Sequence, residues 1–129
     1  MSEAVGCALY KGRKILLQKR SLDYKKPGIW TLFGGHVEEN EDVKTAAKRE
    51  MKEELGIEVN DLDYFAQFVT ENGTKNRVFS SELKVDLSEL KLTEGVGFAL
   101  FEESEISDNG KFYPYNVMKQ AFHYLKNYK

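Results

Sequence analysis

The sequence predicts an α/β domain in which a mixed sheet is sandwiched by helices. Three observations predict it. Apolar and aromatic runs of strand length recur along the chain, separated by turns that contain glycine. Two stretches, one internal and one terminal, instead space their apolar residues as helices do. The chain has 129 residues, of which 41% are apolar, enough for one packed core and too few for two. We therefore expect residues 1–129 to form a single domain.

Each element follows in order. Residues 4–10 and 13–20 read as two strands around a turn at Lys11-Gly12. Ser21–Gly28 is polar and ends in the turn signal Pro27-Gly28. Ile29–Phe33 is a short aromatic strand, ended by Gly34-Gly35. Residues 42–55 predict a helix, with Gly56 as its left-handed cap and Ile57 placed for the accompanying apolar contact. Residues 62–70 are strand-like, Asn72-Gly73 is a hairpin signal, and 75–86 is the return strand. Gly95–Phe101 reads as a further strand. Pro114 starts a last helix, with Val117, Ala121, Phe122 and Leu125 as its apolar stripe.

Charge narrows the function classes. Lys+Arg is 19 against Asp+Glu 21, a net of −2. That excludes a basic protein coating a nucleic-acid polymer and a strongly acidic disordered chain. The small sum hides a knot: Glu38–Glu58 holds eight carboxylates and four bases. Cys7 is the one cysteine, so no intramolecular disulfide forms and a reducing compartment is expected. It sits in the apolar run Ala4–Leu9, where a buried, inert thiol is the expectation. Met1-Ser2-Glu3 shows no basic leader, and no apolar run approaches membrane-spanning length. A cytoplasmic protein without a membrane partner is expected, as monomer or homodimer.

The knot lies on the internal helix. Glu50, Glu53 and Glu54 fall within an arc of roughly 100°, so their carboxylates are neighbours on one face. Val43, Ala47 and Met51 lie near that arc, and Lys44, Thr45, Lys48 and Lys52 lie opposite. Two readings fit the spacing alone. One is a surface helix whose glutamates pair with lysines. The other is a site for a hard divalent cation, Mg²⁺ or Mn²⁺, which takes oxygen ligands and relieves the repulsion among the carboxylates.

The surrounding residues decide between them. Gly35–Ile57 reads GHVEENEDVKTAAKREMKEELGI. This resembles the Nudix box, with Gly35, Glu41, Arg49, Glu50, Glu53, Glu54 and Gly56 at its fixed positions and Met51 and Ile57 at its apolar ones. At residue frequencies of roughly 6%, seven such matches by chance are on the order of 10⁻⁶ or less likely. The resemblance implies a Nudix-type α/β/α sandwich, a loop–helix–loop over residues 35–57, and hydrolysis of a nucleoside diphosphate linked to another group. It implies Glu50, Glu53 and Glu54 as ligands of Mg²⁺ or Mn²⁺, with the Gly34 carbonyl as a further one. Arg49 would orient carboxylates and Glu41 would pair with Arg49. Gly34-Gly35 would let backbone approach metal and phosphates.

In MutT-like members a later loop Glu binds metal or assists as base, a position matched by Glu94 in Leu92-Thr93-Glu94-Gly95. Its other reading is a solvated loop residue, and Glu53 and Glu54 are the alternative bases. Lys19, Arg20, Lys25 and Lys26 cluster ahead of Trp30, and Arg20 matches a phosphate-contacting Arg of similar chains. Phe112-Tyr113-Pro114-Tyr115-Asn116 is similar to a MutT-like Phe-x-Pro-x-Asn whose Asn amide reads a base edge. Asn116 otherwise reads as a helix-start residue. Tyr113 and Tyr115 fit either packing or base stacking.

The substrate implied first is a nucleoside triphosphate or an oxidised deoxynucleoside triphosphate, cleaved to monophosphate and pyrophosphate. Dinucleoside polyphosphates, ADP-ribose and nucleotide sugars are the alternatives, and a non-catalytic nucleotide sensor is a remote one. ADP-ribose members carry a Pro about fifteen residues past the box, where this chain has Asn72-Gly73. One branch of diadenosine polyphosphate hydrolases has a Tyr about seventeen residues past it, where this chain has Thr74 and Lys75. Many relatives have Pro before the glycine pair; here it is Phe33.

Overall fold

The computed structural model describes residues 2–20, 28–92 and 97–129. Strands β1 (Glu3–Lys11) and β2 (Lys14–Lys19) form the expected hairpin. The turn itself is Gly12-Arg13, one residue later than expected, because Lys11 still pairs with Lys14 and Gly12 takes the left-handed φ of +62°. The expected strand over Ile29–Phe33 is divided into β3 (Trp30–Thr31) and β4 (Phe33–His36). Gly34-Gly35 do not end a strand. They lie inside β4, paired with Gly6 and Val5 of β1. The cause is a close backbone approach: a Cβ on Gly34 would stand 2.0 Å from the Val5 carbonyl oxygen.

Helix α1 (Val43–Leu55) starts at Asp42, whose carboxylate accepts from the Lys44 N–H at 2.9 Å and the Thr45 hydroxyl at 2.6 Å. It ends at Gly56, with φ +72° and its N–H donating to the Lys52 carbonyl at 3.0 Å. Strands β5 (Asp63–Val69) and β6 (Lys75–Glu82) flank the Asn72-Gly73 turn. β6 stops four residues short of the expected 86: its ladder with β1 ends at the Tyr10–Glu82 pair, and the next residue of β1, Lys11, closes the hairpin with Lys14. Strand β7 (Gly97–Phe101) pairs with β2. The expected start at Gly95 lies outside the described residues. Helix α2 (Tyr115–Tyr128) begins after Pro114.

The sheet runs β3-β2-β1-β6-β5, with β4 on β1 and β7 on β2. The β1–β6 ladder is parallel and the others are antiparallel, so the sheet is mixed as expected. Alternation along β1 divides the core. Val5, Cys7 and Leu9 pack with Ala46, Ala47, Met51 and Leu55 of α1. Ala8 faces the other way and packs with Val117, Met118, Ala121, Phe122 and Leu125 of α2. The two helices therefore cover opposite faces. Among the described residues no helix is long and apolar enough to cross a membrane.

Candidate active site

The site is assembled where β4 hands the chain to α1. Between them, Asn40 adopts a left-handed φ of +63° and Glu41 folds back on the loop. The Glu38 N–H donates to the Glu41 carboxylate at 2.9 Å, and the Glu41 N–H donates to the Glu38 carbonyl at 3.0 Å. This places Glu41 over the first turns of α1, within reach of Arg49.

Arg49 organises the acidic residues. Its Nε donates to Glu41 Oε2 at 2.8 Å and its Nη2 to Glu41 Oε1 at 3.0 Å, a bidentate pair. The same Nη2 donates to the His36 carbonyl at 2.9 Å, tying α1 to the end of β4. Nη1 lies 3.1 Å from Glu50 Oε1 and 3.2 Å from Glu53 Oε2. Hydrogen bonds from Arg49 and then from the Glu38 backbone hold the Glu41 carboxyl below its ordinary range, and Glu41 in turn raises the Arg49 value. The expected Glu41–Arg49 pair is therefore present. His36 contributes only its main chain, which no side-chain pattern could have signalled.

The three helix carboxylates occupy different depths. Glu53 is exposed, with 59% of its side chain accessible, and Glu50 keeps 14%. Glu54 is buried at 6%. Beneath α1, Cys7 is fully enclosed, as expected, and burial and then the Glu54 charge push its thiol up to about 12. Gly35 gives Glu50 its place. A Cβ there would stand 2.3 Å from the Glu50 carboxyl carbon, so the carboxylate occupies the space that glycine leaves. In the structure Gly34 admits the β1 backbone, and Gly35 admits a carboxylate.

A hard cation fits this donor set in chemistry, since all three side chains offer carboxylate oxygens. The grouping is looser than the sequence suggests. Among the described residues no three His, Cys, Asp or Glu side chains gather closely enough to hold a metal ion. The physical reason is Arg49, whose Nη1 stands between Glu50 and Glu53, together with the depth difference that separates Glu53 from Glu54.

The remaining expected residues are spread around this centre. Glu94, Lys25 and Lys26 lie outside the described residues. Arg20 stands one residue beyond β2, its N–H donating to the Ile29 carbonyl at 2.9 Å. Lys19 lies over the Trp30 ring at 6.0 Å. Asn116 is exposed in the first turn of α2. The segment before it is fastened to β3, because Trp30 donates to the Lys111 carbonyl at 2.9 Å and accepts from the Tyr113 N–H at 3.0 Å. That staple links the start of α2 to the strand pair leading into Gly34-Gly35.

Fold and site together define an α/β sandwich whose carboxylate-bearing helix docks on a glycine strand. Comparison with known proteins places it. The family model described as NUDIX domain matches residues 2–127. The CTP pyrophosphohydrolase of Escherichia coli (strain K12) is 39% identical over 66 residues, 51% of this chain and 49% of that protein. The match thus spans about half of that relative's length. The 8-oxo-dGTP diphosphatase of Proteus vulgaris is 33% identical over 101 residues, covering 75% of this chain and 90% of that protein. The crystal structure of a NUDIX hydrolase from Nitrosomonas europaea shares the fold with a TM-score of 0.82 at 26% identity, covering 99% of this chain and 73% of that one. The chain belongs to the Nudix family and is a Nudix hydrolase.

Proposed function

We propose that this Nudix hydrolase is a Mg²⁺- or Mn²⁺-dependent pyrophosphohydrolase. Its substrate is a nucleoside triphosphate or an oxidised deoxynucleoside triphosphate, and its products are the monophosphate and pyrophosphate. The observation that carries the reading is the docking of the Glu50 carboxylate in the space left by Gly35, with Glu53 and Glu54 on the same helix. The similarity to the Escherichia coli CTP pyrophosphohydrolase and the Proteus vulgaris 8-oxo-dGTP diphosphatase favours a triphosphate as substrate.

Glu50, Glu53, Glu54, the Gly34 carbonyl and Glu94 would hold the cation. A bound divalent cation neutralises polyphosphate charge and makes a water more acidic. The chain's own groups do the rest. Arg49 fixes the rotamer of Glu50 from one side while the Gly35 backbone limits it from the other. Water attacks phosphorus, its proton passes to a carboxylate, and the bond to the departing pyrophosphate breaks. Glu53, Glu54 and Glu94 are the carboxylates assigned to that proton. Arg20 meets phosphate oxygens and Asn116 meets the base. The partner is a small nucleotide rather than a nucleic-acid polymer.

Glu54→Gln tests the reading, because it keeps side-chain volume and removes charge. Turnover of nucleoside triphosphates with Mg²⁺ should fall by about 10² or more while the folded state persists. A fully active Glu54→Gln protein would sink the assignment. Product analysis separates the substrate classes: pyrophosphate appears from a triphosphate, whereas a dinucleoside polyphosphate or nucleotide sugar yields none.

A further inference from the structure

Strand β5 closes one side of the sheet, and among the described residues it pairs with β6 alone. Its outer edge therefore carries main-chain groups that no other described strand meets. The phase of the ladder identifies them. Bonded and non-bonded pairs alternate between antiparallel strands. The Thr70 N–H donates to the Thr74 carbonyl at 3.0 Å, and Lys75 turns its own N–H the other way, to the Ser2 carbonyl at 3.1 Å. The 70–74 pair is thus bonded, and the Val69–Lys75 and Gln67–Arg77 pairs are not. The N–H and C=O groups of Gln67 and Val69 consequently point away from β6.

The side chains agree with the main chain. Three large apolar side chains are left exposed among the described residues, namely Tyr64, Val69 and Tyr128. All three gather along this strand. Tyr64 and Val69 belong to β5, and Tyr128 lies 4.9 Å from the Tyr124 ring, which lies 5.7 Å from Phe65 of β5. Edge strands are commonly blunted by a Lys or Pro that turns a second strand away. Tyr64–Val69 holds neither, and no charge of either sign. A bulge interrupts the ladder between Tyr64 and Ala66, but Ala66–Val69 is regular. Charge appears only at the end, where Lys129 Nζ stands 2.6 Å from the Asp63 carboxylate.

We propose that this edge is a self-association surface, on which a second copy of the chain adds its own β5 antiparallel about a two-fold axis at Gln67. Three matches set the register. Gln67 opposite Gln67 of the second copy makes a bonded pair, each N–H donating to the other's carbonyl. Ala66 then falls opposite Phe68; both have side chains on the α2 face and main-chain groups turned inward to β6. Beyond the bulge, Tyr64 comes beside Val69 on the opposite face, so each copy covers the other's exposed side chains. The Gln67 carboxamide accepts from the Tyr64 hydroxyl at 3.1 Å, and its NH₂ is oriented to donate across the axis. At each end Glu71 of one copy approaches the Asp63–Lys129 pair of the other, where the ammonium faces the incoming carboxylate. The two-fold keeps both α2 helices on one face of a continuous sheet.

Sedimentation velocity of the full chain, from about 5 to 500 μM, reads the association in wild type, Gln67→Lys and Gln67→Pro, with thermal unfolding of each. Wild type should pass from monomer to dimer across that range. Gln67→Lys opposes two ammonium groups at the axis and should raise the dissociation constant by about 10-fold or more. Gln67→Pro removes only the outward donor, since the Gln67 N–H takes no part in the β6 ladder, and should weaken the dimer likewise. Hydrogen exchange is the second readout: the Gln67 amide should slow at high concentration in wild type and not in Gln67→Lys. The inference is overturned if wild type stays monomeric at about 500 μM, or if folded Gln67→Lys dimerises as tightly as wild type. Should Gln67→Pro fail to fold, Gln67→Lys decides alone.

Discussion

Gly35→Ala perturbs the site by one methyl group and isolates what the glycine does. Its Cβ would stand 2.3 Å from the Glu50 carboxyl carbon and 2.4 and 2.5 Å from the two oxygens. Ordinary contact begins near 3.4 Å, so the carboxylate must retreat by about 1 Å. That retreat also strains the 3.1 Å contact from Arg49 Nη1 to Glu50. The clashing atoms are the far end of a flexible side chain, so the fold absorbs the change for about 1 kcal/mol, or a melting-temperature drop of roughly 2–6 °C. A 1 Å misplacement of a reacting or metal-holding group costs about 10²-fold in rate. The assay is pyrophosphate release from a nucleoside triphosphate, followed as kcat/KM beside Tm. Gly34→Ala is the contrast. Its Cβ would stand 2.0 Å from the Val5 carbonyl oxygen and 2.9 Å from the Gly6 Cα, both backbone of a central strand that has nowhere to go. It should fail to fold. The reasoning is refuted if Gly35→Ala retains wild-type kcat/KM, or if it unfolds as Gly34→Ala does.

Three further outcomes follow from the interior and the Arg49 cluster. Met51→Ala, at a fully buried position on the sheet-facing side of α1, should cost about 2–5 kcal/mol in chemical unfolding. Cys7, with its thiol pushed up to about 12, should resist alkylation in the native protein near about pH 8 and react completely in denaturant. The Glu41 carboxyl is held below its ordinary 4.5 by hydrogen bonds from Arg49 first. Its stabilising contribution is therefore complete above about 4.5 and is lost as pH falls through the depressed folded value. The stability gap between wild type and Glu41→Gln should narrow on acidification through that window, and a gap that widens there would contradict the pairing.

Much of the fold was legible because local rules agreed with tertiary need. Asp42 caps α1 and Gly56 closes it, and the Asn72-Gly73 turn joins two strands of alternating pattern. The site was partly legible through the resemblance: Glu41, in the loop before α1, and Arg49, on it, pair as the resemblance implies. Where reading failed, a partner distant in sequence intervened. Gly34-Gly35 looked like a strand terminator, yet β1 recruits both into a ladder. Residues 83–86 looked like strand, yet the ladder with β1 ends at the Tyr10–Glu82 pair, where β1 turns into its hairpin with β2. Met118 escaped the terminal stripe, yet the sheet is broad enough to cover it.

By itself the sequence determined which groups are present and which share a helix face: three carboxylates at i, i+3 and i+4, one arginine, and a glycine pair ahead of them. Periodicity and chain connectivity fix such matters. Only the tertiary structure decided depth and company. It buried Glu54 over the Cys7 strand, left Glu53 in solvent, and gave Glu50 the space of a missing Cβ. It also set Ala4, Gly6 and Asn76 beside one another from strands some seventy residues apart. Those outcomes depend on which backbones pair, and pairing is settled by burial summed over the whole sheet rather than by any local run of residues.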